Sequence, residues 1–255
     1  MKISVITVAY NSAKTIADTL DSVAMQTHTD IEHLVIDGKS TDGTAEIVLS
    51  HVNPKIRLFS EPDKGIYDAM NKGFIKATGN VVGFLNSDDV YENTAVLEKI
   101  ANAFQDPAVD VCYADLVYVT QDKRRVVRYW KSKLFTKGDF AKGWSPAHPT
   151  FYVRKSLVER LGVFDQSYKL AADMEFMLRC LESEQVHAIY IPHVLVRMRV
   201  GGASNQSWGS IVQQNKEVFD ALSKNGVAFS KIWFWSNKVL SRLWQFAVGA
   251  VKRNH

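Results

Sequence analysis

Cysteine is nearly absent from this 255-residue sequence, which contains only Cys112 and Cys180. Each of the two lies in an apolar segment. Such a pair indicates neither a disulfide framework nor a zinc cluster. We expect both to be core residues of a protein from a reducing compartment.

Long apolar runs are also missing. No uncharged run reaches the length of about 18 residues that suggests a membrane-spanning helix. The stretch from Met1 to Val8 is too short for a signal peptide and lacks a cleavage pattern, so it is predicted to be a first strand. These absences predict a cytoplasmic protein.

Acidic residues are absent from residues 231–255, which contain five basic ones: Lys231, Lys238, Arg242, Lys252 and Arg253. When these five are set aside, the 31 basic residues of the chain fall to 26, against 27 acidic residues. The net charge of +4 therefore belongs to this tail. A body without a basic surplus argues against a nucleic-acid-binding domain.

The usual phosphate-binding motifs are missing as well. The first predicted strand is not followed by GxGxxG, and the chain has no Walker lysine. This weakens a dinucleotide-binding or P-loop interpretation. A pyrophosphate bound here would need a metal ion.

What is present is a repeated strand and helix pattern in the first ninety residues. With 46% hydrophobic residues, the chain can bury the core of one large α/β domain with an appendage. Strands are predicted at 3–8, 31–36, 56–60 and 81–85, with helices between them. This alternation indicates βαβ units and a largely parallel sheet, whose ligand edge would collect Tyr10, Asp37, Gly65, Asp88 and Asp89.

Two adjacent carboxylates, Asp88 and Asp89, end the last of these strands. They would repel each other unless a proton or a cation lies between them. Mg²⁺ or Mn²⁺, shared with the phosphates of a substrate, is the natural neutraliser. The alternative is that Ser87, Asp88 and Asp89 only cap the next helix.

Four motifs, in this order, resemble the family 2 glycosyltransferases: SVITVAYN at 4–11, DGKSTDGT at 37–44, DKGIYDAMNKG at 63–73 and NSDD at 86–89. The resemblance covers roughly the first 205 residues and is strongest to bacterial enzymes that build O-antigen and capsule repeat units. It implies a Rossmann-like α/β fold called GT-A, with a mainly parallel mixed sheet flanked by helices. The implied chemistry is inverting transfer from a nucleotide-diphosphate sugar.

On this basis residues 1–230 are expected to form the catalytic domain. Residues 1–115 would bind the nucleotide sugar, and residues 116–230 would bind the acceptor. Residues 231–255 would add a basic amphipathic helix.

The resemblance also implies roles for individual residues on the donor side. Four of them would line the nucleoside pocket: Thr7, Ala9, Tyr10 and Asp37, with Asp37 bonding the base. Three more fall in the segment that closes beside the ribose and diphosphate: Asp63, Gly65 and Asn71.

Asp88 and Asp89 match the DxD-type signature of the family. The match implies that Mn²⁺ or Mg²⁺ binds at Asp89, with Asp88 near the ribose or the metal. The sequence departs from the pattern at Ser87, where many relatives have another acid. The division of roles between Asp88 and Asp89 is therefore open.

A general base is predicted at the start of an amphipathic helix that contains Asp173 and Glu175. The two acids are two positions apart and cannot share a helix face, and both also suit a helix N-terminus electrostatically. The acidic ED motif of the family aligns with Ala172 and Asp173, so the first acid is missing. The resemblance assigns the base to Asp173, with Glu175 as the alternative.

A strand followed by a glycine-hinged loop is predicted between His193 and Asn205. Arg197 and Arg199 share one face of the strand, and Arg199 could contact the diphosphate from a lid hinged at Gly201 and Gly202. The alternative is a surface loop with two solvated arginines. His193 is a candidate metal or diphosphate contact.

His148 lies in an aromatic and proline-containing loop. It is predicted either to contact the acceptor or to be a structural histidine.

The tail from Lys231 to Arg253 is predicted to be an amphipathic helix. Its apolar side contains Ile232, Trp233, Val239, Leu240, Leu243, Trp244, Phe246, Ala247 and Val251, and its polar side is basic. Such a helix suits the surface of an anionic membrane. The alternative is packing on the catalytic domain or on a partner subunit.

Together these features predict an inverting, metal-dependent glycosyltransferase at the inner face of the cytoplasmic membrane. It would use a UDP-sugar, preferred by resemblance, and extend a lipid-linked saccharide. A nucleotidyltransferase, which releases pyrophosphate, is one alternative. A membrane-docked sugar-nucleotide-binding protein is another, but it would need no base at Asp173.

Overall fold

The computed structural model describes residues 1–201 and 208–251. Its first part alternates strands and helices: β1 (Ile3–Ala9), α1 (Ile16–Ala24), β2 (Ile31–Asp37), α2 (Thr44–Ser50), β3 (Ile56–Ser60), α3 (Ile66–Lys76) and β4 (Val81–Phe84). Every residue of β1, β2 and β4 is buried, as expected of parallel strands that are covered on both faces. The predicted βαβ units are present.

The second part is more irregular. It contains β5 (Val90–Tyr91), α4 (Val96–Ala103), β6 (Val111–Val119), β7 (Val126–Trp130), β8 (Tyr152–Arg154), α5 (Lys155–Leu161), α6 (Ala172–Glu182), β9 (Ala188–Arg199), α7 (Trp208–Lys224) and α8 (Lys231–Val251). Two single 3₁₀ turns, Phe140–Lys142 and His148–Thr150, precede β8.

The described strands form one mixed sheet in the order β3-β2-β1-β4-β8-β6-β9-β5, with β7 paired to β6. β8 is antiparallel to both β4 and β6, so β6 runs in the same direction as β4. The carboxyl ends of β1, β2, β4 and β6 therefore share one edge of the sheet. Because β8 runs the other way, the turn at His148–Thr150 reaches that same edge.

Gly83 is required where β4 meets β8. A Cβ at this position would overlap the ring of Tyr152, which packs directly on the β4 backbone. The Tyr152 hydroxyl in turn pairs with the buried hydroxyl of Tyr91 from β5. The close contact fixes the central strand that leads into the Asp88 turn.

An aromatic cluster packs α3 and α6 against the sheet. The rings of Phe74, Phe84, Phe164 and Phe176 lie 4.9–5.6 Å apart between centroids. Truncating one such buried ring to alanine typically costs about 3–5 kcal/mol. Cys112 and Cys180 are buried and free, as predicted for core residues.

The C-terminal helix α8 packs on β7 through a side that combines apolar and polar residues. Phe234 is buried against the body, Lys238 Nζ lies 2.9 Å from Asn215 Oδ1, and Arg128 Nε donates to Gln245 Oε1 at 2.7 Å. Among the described side chains of α8, five apolar ones are exposed: Ile232, Trp233, Trp235, Val239 and Leu240. Among the described residues, no helix combines the length and apolar character needed to cross a bilayer.

Several residues of the predicted tail lie outside the described side chains: Arg242, Leu243, Trp244, Phe246, Ala247, Val251, Lys252 and Arg253. The predicted lid lies mostly outside the described residues as well, since Gly201 is the last residue before the undescribed stretch 202–207.

Candidate active site at the carboxyl edge of the sheet

The turn between β4 and β5 carries two carboxylates with few partners. Asp89 is fully buried, and the Asn86 amide donates to its Oδ2 at 3.3 Å. Asp89 Oδ1 and Asn86 Oδ1 are both buried without a hydrogen-bond partner. Burial raises the pKa of Asp88, while burial and the neighbouring Asp88 charge raise the pKa of Asp89 well above its ordinary value.

These oxygens fit a hard divalent cation. Asn86 Oδ1 and Asp89 Oδ1 are buried without a partner, and burial disfavours the ionised forms of Asp88 and Asp89. Oxygen atoms of this kind are the ligands that Mg²⁺ and Mn²⁺ prefer. No group of three His, Cys, Asp or Glu side chains within the described ranges is arranged to hold a metal. Such a site suits an ion that keeps water and substrate phosphates as its other ligands.

The accessible carboxylate is Asp88. The resemblance implies that the metal binds at Asp89, with Asp88 near the ribose or the metal. In the structure the Asp89 side chain is 0% exposed, whereas Asp88 is only partly buried. His193 lies exposed on β9 and belongs to no three-residue metal-binding group in the described chain. Asp88 is therefore the carboxylate that a substrate in the cleft can reach, with Asp89 and Asn86 behind it, and the part that each plays toward a metal stays a prediction.

The predicted nucleoside residues converge at the ends of β1 and β2. Ala9 pairs with Asp37 in the sheet, and the Asp37 carboxylate accepts hydrogen bonds from Ser60 Oγ at 2.6 Å and from Ser40. A Cβ on Gly38 would collide with the Asp63 carboxylate and come within 3.2 Å of the Tyr10 ring. Ala9, Tyr10, Asp37 and Asp63 are thus brought together. The Tyr10 ring is exposed, whereas Asp37 is fully buried with both carboxylate oxygens engaged by Ser40 and Ser60, so its contact with a base stays a prediction.

Thr7 does not line this opening. It lies two residues deeper in β1, is fully buried, and its hydroxyl lies 2.9 Å from His33 Nε2. Burial lowers the pKa of His33 to about 3, so this pair is neutral at ordinary pH. The expected contact between the Thr7 side chain and a nucleoside is corrected to a structural role, because that side chain is fully buried and its hydroxyl is paired with His33.

Asn71 is likewise used within the protein. Its Nδ2 donates to the Phe164 carbonyl at 2.9 Å, and its Oδ1 accepts from the Phe164 amide at 2.9 Å. Both ends of the amide are occupied, so the expected ligand contact is corrected to an anchor for the Phe164 loop.

Gly65 shapes the turn that begins α3. Its φ of +121° lies in the region that favours glycine, and its N–H donates to Asp63 Oδ1 at 2.9 Å. The turn directs the first residues of α3, including Tyr67, toward the start of α6.

Asp173 lies at that point, in the first turn of α6. Tyr67 Oη donates to Asp173 Oδ1 at 3.0 Å. Burial, followed by the Asp173 charge, raises the pKa of Tyr67, which keeps its hydroxyl a donor. Sequence reasoning did not assign Tyr67, although its helical spacing with Met70, Asn71 and Phe74 places it on their face of α3.

His148 completes this region from the turn before β8. Its ring stacks on Phe84 at 5.6 Å and meets Phe164 edge-on at 5.9 Å between centroids. Burial lowers the pKa of His148, and the Asp173 charge acts in the opposite direction. His148 is therefore an aromatic packing partner beside Asp173.

Glu175 has a different environment from Asp173. It is buried and binds Arg179 through both carboxylate oxygens, at 2.8 and 3.0 Å. Arg179 also donates to the Val163 carbonyl at 2.8 Å. An acid held in this way anchors the helix and is not available to accept a substrate proton.

Arg199 is buried under the Asp88 turn. Its guanidinium donates to the Asp88 carbonyl at 2.5 Å and to the Gln121 carbonyl at 3.1 Å, and it pairs with the Asp18 carboxylate. In this arrangement Arg199 secures the backbone of the turn instead of facing a solvent-exposed diphosphate. Sequence reasoning missed Asp18, because it lies 181 residues away in the chain and only the fold brings it close.

Arg197 is held in a similar way. It binds the carboxylate of Glu92, at 3.0 and 3.2 Å, and the carbonyl of Lys123 at 2.9 Å. The alternative of two solvated arginines is therefore wrong for both positions.

Comparison with known proteins gives consistent results. Residues 4–162 match the model of the family described as Glycosyl transferase family 2. A PGL/p-HBAD biosynthesis glycosyltransferase of Mycobacterium bovis is 30% identical over 208 residues, which cover 79% of this chain and 78% of that protein. An uncharacterized glycosyltransferase of Mycobacterium tuberculosis is 34% identical over 182 residues, covering 69% and 68% of the two chains.

Two solved structures share the architecture. Residues 1–349 of Staphylococcus aureus TarS, in complex with UDP-GlcNAc, superpose with a TM-score of 0.69 at 20% identity, covering 93% of this chain and 70% of that one. The mannosyltransferase PcManGT from Pyrobaculum calidifontis, in complex with GDP-Man and Mn²⁺, gives a TM-score of 0.68 at 21% identity, with coverage of 98% and 73%. These likenesses show the GT-A fold, as the sequence predicts.

Proposed function

This chain belongs to the family 2 glycosyltransferases, and on that premise we propose that it transfers a sugar with inversion from a nucleotide-diphosphate sugar to a lipid-linked saccharide. The observation that carries the proposal is that two acidic sites with different surroundings, the Asp88 and Asp89 turn and Asp173, lie at the same edge of the sheet. In the turn, Asp89 Oδ1 and Asn86 Oδ1 are buried without a hydrogen-bond partner. Asp173 is partly buried and accepts a hydrogen bond from the Tyr67 hydroxyl.

The donor would lie across the ends of β1, β2 and β4. Ala9, Tyr10, Asp37 and Asp63 converge there and would hold the nucleoside. UDP is the preferred nucleotide, in line with the family resemblance and with the UDP-GlcNAc complex of TarS. The GDP-Man complex of PcManGT shows that the same fold also accepts a guanine nucleotide in that protein.

The metal would be Mn²⁺ or Mg²⁺, held by Asp88, with Asp89 and Asn86 behind it. When bound, it supplies positive charge that stabilises the leaving diphosphate. PcManGT was solved with Mn²⁺, which supports a divalent ion in this fold. Arg199 would keep the turn in place through the Asp88 carbonyl.

Asp173 would take the proton from the acceptor hydroxyl. The Tyr67 hydroxyl holds Oδ1, which orients the carboxylate so that Oδ2 can accept the proton. The deprotonated oxygen then attacks the anomeric carbon from the side opposite the diphosphate, which inverts the configuration.

The acceptor side would include the membrane. The outward face of α8 carries exposed Ile232, Trp233, Val239 and Leu240, and residues 231–255 contain no acid. An apolar face combined with exclusively basic charge suits an anionic lipid surface. We therefore place the enzyme peripherally on the inner face of the cytoplasmic membrane.

The proposed division of the chain separates residues 1–230, for catalysis, from 231–255, for docking. Within the catalytic unit, 1–115 would serve the donor and 116–230 the acceptor. Phe234 is part of the main hydrophobic cluster, so the beginning of α8 also stabilises the catalytic unit.

The direct test is to incubate the purified protein with a panel of UDP-, GDP- and dTDP-sugars in Mn²⁺ or Mg²⁺. We expect slow release of a nucleoside diphosphate from one donor, and an inverted anomer when an acceptor is supplied. Release of pyrophosphate would instead support a nucleotidyltransferase. Nucleotide-sugar binding without any turnover, with or without acceptor, would support a non-catalytic binding protein.

A further inference from the structure

The backbone that leads into α6 is held by a carboxylate from α7. Oε2 of Glu217 accepts the N–H groups of Lys169 at 3.0 Å, Leu170 at 2.8 Å and Ala171 at 3.0 Å. Ala171 occupies the N-cap position of α6 and has no side-chain oxygen to cap the helix. Glu217 therefore supplies, from a distant part of the chain, the polar contact that fixes this helix entry.

Glu217 is itself held in place. Gln213 Nε2 donates to Glu217 Oε1 at 3.1 Å, so both carboxylate oxygens are engaged. The neighbouring Gln214 donates to the Leu170 carbonyl at 3.4 Å. One face of α7 thus binds both the N–H groups of residues 169–171 and the Leu170 carbonyl, in the segment that precedes α6.

This segment ends two residues before Asp173. Apart from its own helix, the Asp173 side chain is oriented by Tyr67, at 3.0 Å. The Glu217 charge also contributes to raising the pKa of Tyr67, after burial and Asp173. Glu217 is thus within electrostatic reach of the Tyr67 and Asp173 pair.

We infer that Glu217 is a positioning residue for the transfer reaction, which fixes the start of α6 so that Asp173 meets the acceptor hydroxyl. The inference rests on the proposed role of Asp173 as the base. It assigns a function to α7, which lies beyond the residues that match the family model. Small displacements of a reacting group are costly, since about 1 Å can reduce a rate about 100-fold.

The test uses Glu217→Gln in the full-length chain, with Lys224→Gln as the control. Lys224 lies on the same helix and pairs with Asp165, eight residues before Asp173. In Glu217→Gln we expect turnover of the donor selected from the panel to fall about tenfold or more, while the Kd for UDP stays within about twofold. Amide hydrogen exchange at residues 169–173 should accelerate in Glu217→Gln and stay unchanged in Lys224→Gln.

A double variant separates positioning from general destabilisation. Since Glu217 acts through Asp173, Asp173→Asn with Glu217→Gln should turn over no more slowly than Asp173→Asn alone. If the double variant is slower than Asp173→Asn by the same factor that Glu217→Gln alone loses, the inference is wrong. It is also wrong if Glu217→Gln turns over normally while Asp173→Asn is slow. Normal turnover of Asp173→Asn would instead refute the base itself.

If Glu217→Gln does not fold, Gln213→Ala provides the second variant. It removes only the group that holds Glu217 Oε1, so we expect a smaller loss of turnover with unchanged UDP affinity. Unchanged turnover and exchange in Gln213→Ala would count against the inference.

Discussion

Two buried carboxylates at opposite edges of the same sheet have opposite surroundings. Glu32, near the amino end of β2, is 4% exposed and accepts hydrogen bonds from Ser4, Thr78 and Gly79, with Lys2 at 3.0 Å. Asp89, at the carboxyl edge, is just as buried, and the side-chain hydrogen bond that it receives from Asn86 is long, at 3.3 Å.

The pKa values of Glu32 and Asp89 shift in opposite directions because of these surroundings. Burial acts to raise the pKa of Glu32, but the hydrogen bonds from Ser4 and Thr78 and the Lys2 contact lower it to about 2. For Asp89, burial and the Asp88 charge act together and raise the pKa. Burial alone therefore does not set the pKa of an acid; the hydrogen-bond donors and charges around the carboxylate decide the direction of the shift.

Helix α6 contains a similar contrast, because Glu175 is held by Arg179 through both oxygens whereas Asp173 accepts a hydrogen bond from Tyr67. Replacing Asp173 is expected to have the largest effect on turnover. Asp173→Asn should lower turnover by about 100-fold or more, because loss of a general base typically costs 10²- to 10⁴-fold. UDP affinity, measured by calorimetry, should be unchanged. Normal turnover would remove Asp173 from the mechanism.

The matched variant is Glu175→Gln. Because Glu175 binds Arg179 through both oxygens, we expect lower stability with turnover per folded molecule close to normal. A 100-fold loss of turnover at full stability would move the base to Glu175.

At the far edge, Glu32→Gln should lower the free energy of unfolding by about 2–3 kcal/mol, since charged hydrogen bonds contribute this much and donors are left unpaired. Urea unfolding monitored by circular dichroism measures it. UDP affinity should not change, because the donor edge lies at the other end of the strands. A loss of UDP affinity at unchanged stability would contradict the comparison.

The Glu32 contribution should also depend on pH. The folded pKa is depressed from 4.5 to about 2, so its stabilisation is fully present above pH 4.5 and is lost as pH falls toward 2. The stability difference between the wild type and Glu32→Gln should shrink over this range. A difference that stays constant down to pH 2 would show that the ionised carboxylate is not the stabilising species.

The smallest effect concerns α8, whose outward face contrasts with the well-packed sheet. Trp233 is 68% exposed, and Trp233→Glu should weaken sedimentation with anionic vesicles severalfold without unfolding the protein. Val52→Glu, at a 98% exposed apolar position far along the sequence, is the control and should bind vesicles normally. Equal loss in both variants would indicate a general charge effect.

Salt provides a second measurement on α8. Raising ionic strength should weaken vesicle binding of the intact protein without abolishing it, since screening acts on the basic residues and leaves the apolar burial. If the intact protein does not bind vesicles at any salt concentration, the outward face of α8 belongs to a protein interface.

The fold followed from the sequence because the β-branched strands and the acidic turns repeat with a regular spacing. Short motifs predict Asp88, Asp89 and Asp173, and the structure brings Ala9, Tyr10, Asp37 and Asp63 to one edge of the sheet. Thr7 and Asn71 could not be separated from these by pattern alone, because a motif does not show whether a side chain is already paired inside the protein. Tyr67, Asp18 and Glu217 depend on contacts between distant parts of the chain.

The most direct test of the account is calorimetric titration of UDP into the wild type and Asp88→Asn, each in Mn²⁺ and in EDTA. If Asp88, with the unpartnered oxygens of Asp89 and Asn86 behind it, binds a metal that in turn holds the diphosphate, UDP should bind the wild type at least tenfold more tightly in Mn²⁺. Asp88→Asn should lose that response and keep its folding stability. Equal UDP affinity in Mn²⁺ and EDTA for the wild type, or an unchanged Mn²⁺ response in Asp88→Asn, would contradict it.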